Sequence, residues 1–69
     1  MYRVIESPAN GNEIAHEEIN TEREALTMAV KLVEKNHNVC FVEKFFGGRW
    51  LRANRRFFWY FDRVCHYNY

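Results

Sequence analysis

Only one stretch of this chain, TEREALTMAVKLVEKN at residues 21–36, carries the period of an α-helix; the segments around it alternate or turn like β-structure. Thr21-Glu22-Arg23-Glu24 opens it as a capping box, in which the Thr21 hydroxyl accepts from the Glu24 amide and the Glu24 carboxylate reaches back to the Thr21 amide. Ala25, Leu26, Ala29, Leu32 and Val33 fall on one stripe, with Arg23, Thr27, Lys31, Glu34 and Lys35 opposite, so one face is to be buried and the other solvated. Asn36-His37-Asn38 is expected to end the helix, since asparagine accepts the left-handed conformation a helix terminus often needs. One helix covers one face of a sheet. The second face of whatever β-layer this chain builds must find another cover or another use.

The β-layer reads as two hairpins and a long strand. YRVIES alternates, PANGNE turns at Asn10-Gly11, a pair suited to a type I′ loop, and EIAHEEI returns. A loop there sets Tyr2 opposite Ile19, Arg3 opposite Glu18 and Val4 opposite Glu17, whereas a bulge near Pro8 reverses the faces. After the helix, NVCFVEKFF, the Gly47-Gly48 turn and RWLRA pair Phe46 with Arg49, Phe45 with Trp50, Lys44 with Leu51, Glu43 with Arg52 and Val42 with Ala53. Asn54-Arg55-Arg56 reads as the next bend and FFWYFDRVCHY as a fifth strand. That strand would span about 36 Å, beyond the ordinary length, so it should bend or fray before Tyr69. The order is ββαβββ: an α+β fold, an antiparallel sheet of about five strands with one helix packed on one face.

At 69 residues the chain suits one domain, 1–69, with a thin core, because a domain of this size buries only about three-fifths of its unfolded surface. A composition that is 48% hydrophobic and 28% charged is globular. No apolar run approaches the roughly 20 residues of a membrane span, and MYRVIES lacks the basic start and apolar stretch of a secretory signal, so a cytoplasmic location without a membrane span is expected. Cys40 and Cys65 read as reduced, buried thiols, with a bridge between neighbouring strands as the alternative. The net charge of +1 conceals an asymmetry, since residues 1–38 sum to −3 and residues 39–69 to +4.

Cys40, Val42, Leu51 and Ala53 share one side of the second hairpin and suit the floor beneath Leu26, Ala29 and Leu32, while Val39, Phe41, Phe45, Trp50 and Arg52 take the other side. Phe57, Trp59 and Phe61 alternate with Phe58, Tyr60 and Val64, so one of these sets also points away from the helix. Residues 45–61, FFGGRWLRANRRFFWYF, gather eight aromatics and four arginines without one carboxylate. Four partly exposed aromatics leave several hundred square ångströms of apolar surface, a patch that soluble monomers rarely show without a use for it. The alternative is a second minicore, with strand five curled over the sheet or the HYNY tail folded back.

The contact surface assigned to this stretch is Phe45, Arg49, Trp50, Arg52, Arg55, Arg56 and Trp59. Such a surface could stack unpaired bases of DNA or RNA while guanidinium groups hold phosphates. It equally has the residue types enriched at protein interface hot spots, and an uncovered sheet face also allows a homodimer. Glu13, Glu17, Glu18, Glu22 and Glu24 crowd twelve residues; Glu17, Glu18 and Glu22 form a second, acidic patch suited to a basic nucleic-acid-binding surface, or else a solvated edge that complements the helix dipole.

Catalytic constellations find little support. His16, His37 and His66 lie on three elements, and neither C-x2-C nor H-E-x-x-H spacing occurs, so no metal is expected. Cys65 and His66, adjacent on a strand, point to opposite faces. Nucleophile elbow, P-loop and dinucleotide fingerprint are all missing, so neither an enzyme nor a cofactor is expected.

With the Asn10-Gly11 hairpin, the T-E-R-E-A-L helix start and the FFGGRW return placed, the chain resembles the very small phage-encoded inhibitors of bacterial machinery, including anti-CRISPR proteins that pack one helix on an antiparallel sheet. The resemblance covers the element order along nearly the whole chain. It implies inhibition by occlusion in the host cytoplasm: a bacterial protein or nucleoprotein complex is bound and access to it blocked, without catalysis. Members of this class share no common functional residues, so the resemblance assigns none here.

Overall fold

The computed structural model describes residues 1–68. Its helix, α1 (Glu22–Asn36), begins as the capping box requires, with the Thr21 hydroxyl accepting from the Glu24 amide at 3.2 Å. The reciprocal bond differs from expectation: the Thr21 hydroxyl itself donates to the Glu24 carboxylate at 2.9 Å. Ala25, Ala29 and Val33, one per turn, are fully buried, and the two alanines let the helix lie close to the sheet. Leu26 and Leu32 flank them, half-buried. The left-handed residue that ends the helix is His37 (φ 58°), not an asparagine. Its ring stacks on Trp59, centroids 4.1 Å apart and planes 8° from parallel, which favours histidine over a shorter side chain at that cap.

Five strands form one antiparallel sheet: β1 (Tyr2–Ser7), β2 (Ile14–Ile19), β3 (Val39–Phe46), β4 (Arg49–Tyr60) and β5 (Arg63–Asn68), in the order β2-β1-β3-β4-β5. The core lies under the helix, where Val4, Ile19, Cys40, Val42 and Phe57 meet Ala25, Ala29 and Val33. The cysteines are both free; Cys40 is buried as expected, whereas Cys65 is only half-buried. Among the described residues no helix is long and apolar enough to cross a membrane.

Four local readings are corrected. In the first hairpin Tyr2 does face Ile19, but Val4 faces His16, because Glu17 and Glu18 together oppose the single Arg3. This bulge, with Glu18 at φ 65°, keeps a carboxylate away from buried Val4 and sets His16 on the helix side instead. Second, Arg3 takes Glu43 of β3 as its partner rather than Glu18. Third, Asn54-Arg55-Arg56 is no bend: the Gly47-Gly48 hairpin keeps its first four pairs, but Val42 opposes the three residues 53–55 rather than Ala53 alone, and β4 runs on to Tyr60. Two extra residues preserve the alternation, so the strand continues on the same faces.

Fourth, the supposed fifth strand is a hairpin, turning at Phe61-Asp62 between Tyr60 and Arg63. Phe61 adopts φ 59°, a conformation that turns ordinarily reserve for glycine or asparagine. The anticipated bend before Tyr69 is therefore a complete reversal, and of the HYNY tail expected to fold back, His66, Tyr67 and Asn68 instead extend β5 alongside β4, while Tyr69 lies outside the described residues.

Candidate binding surface

Strand pairing divides the side chains between a helix side and an open face. The cross-strand rows Arg3–Glu43–Arg52 and Ile5–Phe41–Arg56–Tyr67, with the pairs Phe45–Trp50, Phe58–Cys65 and Tyr60–Arg63, all lie on the open face. The helix side is itself only partly covered: Cys40 and Val42 lie beneath the helix as expected, but Leu51 and Ala53 are exposed beyond it. A groove of about 420 Å³ beside the helix start is lined by Glu22, Leu26, Val42, Arg55 and Phe57.

Glu43 organises the centre of the open face. It is only 6% exposed, yet both carboxylate oxygens are used: Arg3 donates to one through Nε at 2.8 Å and its terminal nitrogen at 2.7 Å, and Arg52 to the other through Nε at 2.9 Å. A buried carboxylate whose two oxygens both accept from guanidinium groups fixes the orientation of the arginines that donate to it. Each guanidinium then lies over a ring, Arg3 over Trp50 and Arg52 over Phe41, both at 4.2 Å from the centroid. Phe45 meets Trp50 edge to face at 5.2 Å, and Arg56 approaches the Phe58 ring at 5.7 Å. Glu13, from the first turn, reaches Arg52 at 3.9 Å. The result is a lattice of alternating cations and rings around one anion. Arginine side chains that would otherwise sample many rotamers are already ordered there.

Part of this face closes on itself. Ile5, between Ala15 and Phe41 in the rows, is only 4% exposed, and Phe41 is half-buried under Arg52. Phe45, Tyr60 and Tyr67 stay exposed.

Of the residues assigned from sequence, Phe45, Trp50, Arg52 and Arg56 come together on the open face. Arg49, Arg55 and Trp59 do not. Arg49 pairs with Phe46 at the hairpin end, Arg55 sits in the β4 irregularity and donates to Asn68 at 3.1 Å, and Trp59 is half-buried on the helix side against His37. The acidic patch is divided likewise, with Glu17 and Glu18 exposed on the β2 bulge and Glu22 beside the helix groove. Arg3 and Glu43 were missed as members of the surface, and Phe41, correctly placed on this side of the hairpin, was left out of the contact set. Glu43 and Arg52 were legible as a pair, but Arg3 joins them only because β1 lies against β3, forty residues away in sequence.

A second polar cluster lies on the helix side. Glu6, 2% exposed, accepts from Asn36 at 2.8 Å and Asn38 at 2.9 Å, and its other oxygen meets the His16 ring at 3.1 Å. Burial pushes the Glu6 carboxyl up, but the hydrogen bonds from Asn38, Asn36 and His16, with the His16 charge, outweigh it and hold it below the ordinary carboxylate value. The cluster ties β1, β2 and the end of the helix together. Burial first, then the Glu6 charge, push the neighbouring Cys40 thiol up to about 12, so it stays protonated at neutral pH and is no nucleophile. Among the described residues no three His, Cys, Asp or Glu side chains are grouped to hold a metal ion. Compared with protein families, curated proteins and solved structures, the chain matches none.

Proposed function

We propose that this chain is a non-catalytic binding protein that docks on another protein through the open face of its sheet and, by occupying that surface, excludes whatever would otherwise use it. The fitting target is a bacterial protein or nucleoprotein complex, as for the small phage-encoded inhibitors the chain resembles. The observation that carries the reading is the ordered Arg3–Glu43–Arg52 row with its stacked rings. Aromatic and arginine side chains dominate protein hot spots, and a surface ordered before contact loses less side-chain entropy on docking. Nucleic-acid stacking is served less well, because bases need bare ring faces and phosphates need unneutralised cations, whereas guanidinium groups here already cover Trp50 and Phe41 and Glu43 holds both arginines.

A second reading, direct DNA or RNA binding, draws on Arg49, Arg55 and Arg56, which have no carboxylate partner among the described residues. Capture from bacterial lysate separates the two. The immobilised chain retains a defined protein complex, and Trp50→Ala or Arg52→Glu releases it while Lys31→Glu on the solvated helix face does not. Equal capture by all three variants counts against the open face. Under the second reading, nucleic acid is shifted at low salt, with log K falling by about 0.7 per single-strand phosphate contact as log salt rises.

A further inference from the structure

We propose that the β5 edge is a self-association surface, on which a second copy of this chain pairs antiparallel about a two-fold axis at Cys65 and joins two five-stranded sheets into one. The inference stands apart from the docking reading above. The sheet ends in β2 on one side and β5 on the other, and the two outer strands differ. β2 carries the bulge, the left-handed Glu18 and the exposed carboxylates of Glu17 and Glu18, features that blunt an edge against pairing. β5 has none of these. Its six residues, RVCHYN, pair with β4 in six consecutive steps without a shift, and they include no proline, glycine, lysine or carboxylate.

The strand is also complementary to itself. Its one permanent charge, Arg63, lies at its start, so an antiparallel copy holds the two arginines at opposite ends. Centring on Cys65 sets Val64 against His66 of the second copy on the helix side, and Arg63 against the exposed ring of Tyr67 on the open face, a cation meeting an aromatic. Only the small thiols meet at the axis. The register centred on His66 would instead press two imidazole rings against each other at the axis. A closed two-fold pair consumes both β5 edges and leaves only the blunted β2 edges outside.

Sedimentation equilibrium of the full chain, raised to millimolar concentration, tests this. The expected result is a concentration-dependent mass approaching twice 8.4 kDa. Facing residues of paired strands have Cα atoms about 4.5–5.5 Å apart, within disulfide reach, so copper–phenanthroline should link the dimer at Cys65, the two thiols giving two electrons to the oxidant and two protons to solvent. Cys65→Ser keeps the dimer and loses the link. Cys65→Lys sets two ammonium groups across the axis and gives a monomer with an unchanged far-ultraviolet circular dichroism spectrum. Should that variant not fold, Tyr67→Arg, at an exposed position, opposes Arg63 of the second copy twice per dimer and weakens association about tenfold. A monomeric mass at every concentration overturns the proposal, as does a folded Cys65→Lys or Tyr67→Arg that associates like the parent.

Discussion

The two faces of one sheet are stabilised here by different physics. Under the helix, small and β-branched side chains exclude water, and the polar Glu6 cluster fastens only the rim. On the open face the described residues supply no covering layer, and arginines, rings and one carboxylate hold one another in place. Charge screening leaves apolar burial untouched, whereas it weakens charge-assisted contacts at a surface. A chain with a single helix thus builds a stable side and a presentable side from the same strands. Changes on the first should act on folding, and changes on the second mainly on binding.

Four substitutions, from the largest effect to the smallest, can break or sharpen that contrast. Phe57→Ala, in the buried core, should cost about 3–5 kcal/mol and leave little folded protein, because a domain of this size has only a few kcal/mol in hand; thermal unfolding by circular dichroism reads it. Glu43→Gln should cost about 2 kcal/mol in urea unfolding and abolish partner capture, with the loss shrinking at high salt because Arg52 stands partly in water.

Glu6→Gln should cost about 1–2 kcal/mol at neutral pH and leave capture intact. Because the folded Glu6 carboxyl lies below its ordinary value, its contribution is complete above the ordinary value and disappears as pH falls through the folded one. Acid titration of stability should therefore be flatter for Glu6→Gln than for the parent. Phe61→Gly, at a turn tip where Phe61 is 82% exposed, should raise stability by about 0.5 kcal/mol, as relief of the left-handed strain outweighs the glycine entropy.

What was legible in the sequence was local. The capping box, the buried stripe and the Gly47-Gly48 turn with its first four pairs needed only neighbours along the chain. Illegible features had non-local or compensated causes. The two extra β4 residues leave the alternation intact, so Asn54-Arg55-Arg56 looks like a bend while the strand passes through it. The reversal at Phe61-Asp62 places phenylalanine at the left-handed position where such turns favour glycine or asparagine. The Glu17-Glu18 bulge depends on His16 finding Glu6, and the place of Arg3 on β1 pairing with β3, neither of which a hairpin pattern encodes. Trp59 was assigned to the wrong face because its partner, His37, closes a helix earlier in the chain.

The central claim is that a partner covers the open face. The two tryptophans report on it directly, since Trp50 lies on that face and Trp59 on the helix side. Oxidative footprinting of the captured complex, read by mass spectrometry, should show Trp50 protected relative to the free chain and Trp59 unchanged. Protection of Trp59 with Trp50 still accessible would move the docking surface to the helix side and contradict the account.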